Sequence, residues 1–162
     1  MNILSLILSI PGLLIALTFH EFAHGYAAYR MGDNTARYSG RLSLNPLDHL
    51  DIWGTLCLLF FHFGWAKPVP INPANFRDQK KGIIIVSLAG PFANFLLAFV
   101  CAVVCKILVS FTAASEIAVF FYQVFLYAEV MNVGLMVFNL IPIPPLDGSK
   151  VLMEFLPPRA RY

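Results

Sequence analysis

Residues 3–29 read ILSLILSIPGLLIALTFHEFAHGYAAY, an apolar run of membrane-crossing length that carries two histidines and a glutamate in its second half. A spanning helix needs about 20 mostly apolar residues, and Glu21 is the single charged side chain in this stretch. Inside a bilayer His20, Glu21 and His24 are costly unless they are functional or paired. The same run therefore predicts both a membrane helix and a site within it. Pro11-Gly12 predicts a kink or a late helix start. The run could imitate a signal peptide, but it lacks a basic n-region and a nearby small-x-small cleavage site, so it reads as a retained helix.

Working outward, two more runs have spanning length, at 83–109 and 117–141, the last stopped by Pro142. A fourth apolar stretch, 56–63, is too short to cross and reads as re-entrant, interfacial or a strand. Composition agrees: 59% of residues are hydrophobic and 12% charged, where soluble domains are about half apolar and about a quarter charged. Mean hydropathy is +0.73. The net charge of +2 and the absence of a basic run exclude a nucleic-acid arm. Lipid bilayer and other membrane proteins are the expected partners. Cys57, Cys101 and Cys105 are odd in number and lie in or beside apolar stretches, so they read as packing residues and not as a disulfide framework.

The polar stretch 32–81 holds Gly40-Arg41-Leu42-Ser43-Leu44, which alternates like a strand. It also holds Lys67-Pro68-Val69-Pro70-Ile71, which the prolines force into an extended form. The fold expected is a mainly α, polytopic membrane protein of about three transmembrane helices, with a short β-ribbon or re-entrant insertion between the first and second. One domain, 1–162, accommodates all of it. Lysines and arginines concentrate in the 32–81 loop and the tail, while the connection near 110–116 has none. The positive-inside bias then puts the N-terminus outside and the loop and tail in the cytoplasm, in a cell membrane.

His20-Glu21-Phe22-Ala23-His24 carries the chemistry. Histidines at i and i+4 share a helix face, so both imidazoles can reach one zinc ion. The glutamate beside the first histidine can then take the proton of a zinc-bound water. A zinc site needs a third protein ligand and an open position. No third histidine follows the motif, and no glutamate lies about twenty residues downstream. Asp147 is the candidate. It follows the third span in Asn139-Leu140-Ile141-Pro142-Ile143-Pro144-Pro145-Leu146-Asp147-Gly148, where prolines break the helix, and broken backbone at membrane depth is tolerated where it lines a polar cavity. The first and third spans run the same way, so all three ligands fall on one side of the membrane. His20 would sit about 14 Å below a boundary at Tyr29, at 1.5 Å rise per residue.

At these residues the chain resembles the site-2 protease family of intramembrane zinc metalloproteases, in its short form without a PDZ or CBS domain. Four blocks carry the likeness: 20–24, Gly64-Trp65-Ala66-Lys67-Pro68-Val69-Pro70-Ile71-Asn72-Pro73, Ser87-Leu88-Ala89-Gly90-Pro91-Phe92-Ala93-Asn94, and 139–148. The segment 41–46 is also similar. The resemblance implies His20, His24 and Asp147 as zinc ligands, Glu21 as the catalytic base, and Asn94 as a further catalytic group on the substrate or the developing oxyanion. The competing reading of Asn94 is interhelical glue, with Gly90 allowing close packing. Asn139 is a candidate for substrate contact or helix packing. His49 and His62, each standing alone, are not expected to be ligands. Relatives usually continue with another apolar segment, so the chain is expected to be a trimmed or unusually short member.

The expected activity is hydrolysis of peptide bonds in transmembrane segments, as in regulated intramembrane proteolysis or clearance of signal-peptide remnants. A substrate helix must unwind before attack, and an exposed strand edge, Arg41, Leu42, Ser43 and Leu44 or the 67–71 segment, could capture the unwound piece. Two other readings remain open: another membrane-embedded zinc peptidase, and a non-enzymatic metal-binding or transport-like membrane protein. A simple carrier site needs no base between its histidines.

Overall fold

The computed structural model describes residues 3–51, 53–54, 57, 66–113 and 115–157. Helix α1 is Ile3–Met31, α2 is the single turn Thr35–Tyr38, α3 is Gln79–Leu108, α4 is Glu116–Leu140 and α5 is Asp147–Phe155. Helices α1, α3 and α4 pack pairwise, and each contains a stretch long and apolar enough to cross a membrane: Ile7–Met31, Gln79–Val109 and Glu116–Leu140.

The predicted spans fall on these helices, and the shifts at their ends have local causes. Helix α3 begins four residues before the apolar run because Asp78 caps it, accepting the Lys81 backbone N–H at 3.0 Å. Ser115 caps α4 through the Ala118 N–H. Pro11 lies inside α1, so the helix runs through it and does not start after it.

The expected β-ribbon is not present among the described residues. Their only β pairing is a single antiparallel bridge between Leu50 and Ala66. The 67–71 segment is extended, as its prolines require, but side chains satisfy its backbone where a ladder would have done so. Glu21 accepts the Val69 N–H at 2.9 Å, and Arg41 Nη2 donates to the carbonyls of Lys67 and Pro68. The 40–44 segment is held by one local backbone bond and one side chain: the Arg41 N–H donates to Ala36 O, and His49 Nε2 donates to Ser43 O at 2.8 Å. The short apolar stretch 56–63, apart from Cys57, lies outside the described residues.

The distribution of polarity is the reverse of a soluble protein's. Phe92, Phe95, Phe99 and Ile107 on α3 and Ile117, Phe120, Val130 and Val137 on α4 are exposed, an apolar surface of the kind a bilayer covers. Inside sit Thr18, His20, His24, Ser87, Asn94, Asn132 and Asp147, all buried. The helices meet through small residues, as membrane helices do. Gly12 faces Ala128 so closely that a Cβ there would lie 2.6 Å from the Ala128 Cα. Cys101 and Cys105 are free and buried, consistent with packing.

Where α1 ends, Gly32 turns the chain with φ of 114°, and the Asp33 carboxylate disappears from solvent. Its oxygens accept from Thr35 N, the Thr35 hydroxyl, Asn72 N and Asn75 Nδ2. A small apolar cluster of Ala28, Phe76 and Val86 lies beside it. Together they staple the loop to α1 and α3, which positions the 67–71 segment over the glutamate of α1.

Candidate metal centre

His20 and His24, one turn apart on α1, present their rings edge to face, with centroids 4.6 Å apart. Their Nε2 atoms are 3.0 Å from each other. Asp147, the first residue of α5, brings Oδ2 to 3.0 Å from His24 Nε2 and 3.3 Å from His20 Nε2. All three side chains are buried. Among the described residues this is the one group of three such side chains close enough to share an ion. A tetrahedral zinc ion with ligands at about 2.0–2.1 Å places its donor atoms about 3.3 Å apart, so the triangle has nearly the required size.

The neighbouring hydrogen bonds decide what these atoms offer. His24 Nδ1 is 2.7 Å from the carbonyl oxygen of Val86, which can only accept, so the proton sits on Nδ1. His20 Nδ1 is 2.6 Å from Asn94 Oδ1. Asn94 is oriented by its other end, whose Nδ2 donates to Ala16 O and Asn132 Oδ1. His20 therefore also carries its proton on Nδ1. In their neutral form both imidazoles then aim Nε2 lone pairs at each other and at a carboxylate oxygen. Two imidazoles and one carboxylate gathered in this way have the make-up of a zinc site.

Gly90 makes room for this arrangement. A Cβ there would press into His24 Nε2 and lie 2.7 Å from His20 Nε2, so α3 can pass along the Nε2 edges of the imidazoles only as glycine. On the opposite side of Asp147, Lys150 Nζ donates to Oδ1 at 2.9 Å, leaving Oδ2 to the histidines.

The three donors open on a cavity of about 390 Å³ whose wall also includes Glu21, Val69, Asn139 and Lys150. Glu21 thus lines the same cavity as the candidate metal ligands and is anchored by Val69. Asn139 lies in the wall with its Nδ2 donating to Leu135 O. Asn94 does not line the cavity. It is fully buried behind His20 with both ends of its amide in use, which supports a role in orienting the imidazole over direct contact with substrate. Arg41, Leu42, Ser43 and Leu44 do not reach the cavity wall; Arg41 acts on it through the Lys67 and Pro68 carbonyls. His49 is buried on Ser43 O and away from the ligand group, and His62 lies outside the described residues.

Three participants escaped the reading of the sequence. Asn132 is one of three side-chain amides in the third span, with Gln123 and Asn139, and its position alone named no partner. Lys150 stands at i+3 from Asp147, a spacing that places them on one helix face. Asp33 stands in the polar loop, where nothing local reveals that Asn72 and Asn75 close over it.

The sequence profile of peptidase family M50 matches residues 106–161. The chain is 39% identical over 155 residues to "Putative zinc metalloprotease YwhC" of Bacillus subtilis, covering 92% of this chain and 69% of that protein. Rip2 of Mycolicibacterium smegmatis, described in the same words, is 33% identical over 96% of this chain and 60% of its own length. MJ0611 of Methanocaldococcus jannaschii, again so described, is 31% identical over 93% of this chain and 72% of its own. No solved structure matches the chain. With three apolar helices of spanning length, the chain is an integral membrane protein, and by these relatives and the matched profile it belongs to peptidase family M50, a family of metalloproteases.

Proposed function

We propose that this protein hydrolyses peptide bonds within membrane-spanning segments of other proteins, with zinc held by His20, His24 and Asp147 and with Glu21 as the general base. One observation carries the reading. Three buried lone-pair donors 3.0–3.3 Å apart face a cavity whose wall includes a carboxylate that is not itself a ligand.

A bound zinc ion supplies Lewis acidity, polarising the scissile carbonyl and bringing the pKa of water to about 7. The protein does the rest. Asn94 and the Val86 carbonyl lock the imidazole tautomers and ring orientations. Lys150 holds one oxygen of Asp147, so the aspartate serves the ligand group with the other. Glu21 keeps one oxygen on the Val69 N–H, which fixes the carboxylate against the cavity. It accepts the proton of the attacking water and delivers it to the nitrogen of the leaving amine, whose bond to carbon breaks. Asn139, in the cavity wall, is placed to meet the substrate backbone. The 41–44 segment acts at one remove, by holding the 67–71 strand-like wall in register.

The substrate assignment rests on where the cavity lies. The ligands from α1 belong to a helix whose exposed face is apolar, so a peptide reaching them comes through or along the bilayer. The lysines and arginines flanking the spans support a cytoplasmic active-site side in the cell membrane, and the 1–162 unit supports a single catalytic domain.

The test is Glu21→Gln. The purified variant should keep wild-type zinc by elemental analysis and cleave a reconstituted membrane-spanning reporter about 10²–10⁴-fold more slowly. Undiminished cleavage would remove Glu21 as the base. Cleavage of soluble peptides but no membrane-embedded one would overturn the substrate assignment.

A further inference from the structure

A second cavity, open and of about 760 Å³, lies at the end of α1 and is lined by Arg30, Arg37, Arg77, Tyr29, Tyr38 and Asn75, among others. It shares no wall residue with the metal cavity. We propose that it binds the phosphate headgroup of an anionic membrane lipid.

Its arginines have no carboxylate partner among the described residues. The ion pairs of the described residues join Asp147 to His20, His24 and Lys150, and Asp78 to Lys81; none involves these arginines. Of the loop acids beside this wall in sequence, Asp33 gives its oxygens to Thr35, Asn72 and Asn75, and Asp78 pairs with Lys81, so neither forms an ion pair with these arginines. The guanidinium groups of two of the arginines make only long contacts to neutral hydroxyls, Arg30 to Tyr26 at 3.3 Å and Arg37 to Tyr29 at 3.4 Å. A phosphate would replace those with shorter, charge-assisted and bidentate bonds.

Its position selects a lipid over a free anion. Arg30 stands in the last turn of the Ile7–Met31 span, and Arg77 two residues before the Gln79–Val109 span, so both sit at headgroup depth. Arg37 lies over the Tyr29 ring at 5.5 Å, and Tyr29 and Tyr38 are the amphipathic rings that favour this zone. Below the arginines, Ile15, Phe19, Phe22 and Tyr26 follow one another at spacings of four, three and four residues along α1. Ile15, Phe19 and Tyr26 are 46%, 37% and 44% exposed, and Phe22 stacks on Tyr26. That stripe leads from Arg30 into the apolar zone, the path an acyl chain needs.

The test uses the full, zinc-loaded chain in detergent, titrated with phosphatidylglycerol or phosphatidylcholine and read by native mass spectrometry. Wild type should retain phosphatidylglycerol about tenfold better. Arg37→Gln/Arg77→Gln should bring it down to the phosphatidylcholine level with zinc content unchanged. Arg37→Lys should fall between, since it keeps the charge and loses the fork. Should the pair fail to fold, the single variants decide, each expected to weaken phosphatidylglycerol about three- to fivefold. Equal retention of the two lipids, or a preference that survives substitution, overturns the proposal. So does displacement of the lipid by millimolar inorganic phosphate, which would make this a soluble-anion site.

Discussion

Gly90 lies against the Nε2 edges of both imidazoles, and its missing Cβ is the space they occupy. Gly90→Ala should therefore leave the helices formed, since alanine is the better helix former, yet push His20 and His24 off their common point. Elemental analysis should find most of the zinc gone, with helical circular dichroism kept. Asn94 makes a different prediction. It touches the site only through His20, so Asn94→Ala should keep the ligand set and weaken zinc binding about 10–100-fold, the usual cost of losing a partner behind a ligating histidine. A competition titration against a chelator measures it. Asp147→Ala removes a ligand outright, and zinc content equal to wild type would take Asp147 out of the set.

The 67–75 segment is an element without a ladder, and one buried carboxylate, Asp33, anchors its 72–75 end. Burial alone would raise the Asp33 pKa, but hydrogen bonds from Thr35, Asn72 and Asn75 outweigh it and hold the group below the usual carboxylate value. The sign follows from linkage. A depressed folded-state pKa contributes stability that is complete above the unfolded value of about 3.9 and is lost as pH falls through the folded value. Hydrogen exchange at Asn72 and Asn75 should be slow and steady near neutral pH and accelerate, beyond its intrinsic pH dependence, only below about pH 4. Asp33→Asn should speed exchange already at pH 7 and abolish that acid step. Because Val69 belongs to this segment and donates to Glu21, the same variant should lower cleavage while sparing zinc, since none of the metal ligands touches the clamp.

At the scale of the whole molecule, the bundle inverts the soluble pattern, so its packing relies on close helix approach and buried hydrogen bonds. Gly12 against Ala128 is a close approach between α1 and α4. Gly12→Leu should force these helices apart and cost about 1–3 kcal/mol, visible as lower thermal stability in detergent, with zinc lost in the same transition because α1 carries two ligands. The sequence by itself determined the membrane class, the three spans and the two histidines with their glutamate, because hydropathy and the i, i+4 spacing act within one helix and need no partner. It also pointed to Asp147, since a carboxylate after a proline-broken span has few other uses. Only the tertiary structure decided that Asn94 stands behind His20, that Asp33 is a buried clamp, and that 67–71 is stitched by side chains and not paired as a ribbon. Each of those depends on contacts across 39 to 74 positions of chain, and separation on that scale leaves no periodicity to read.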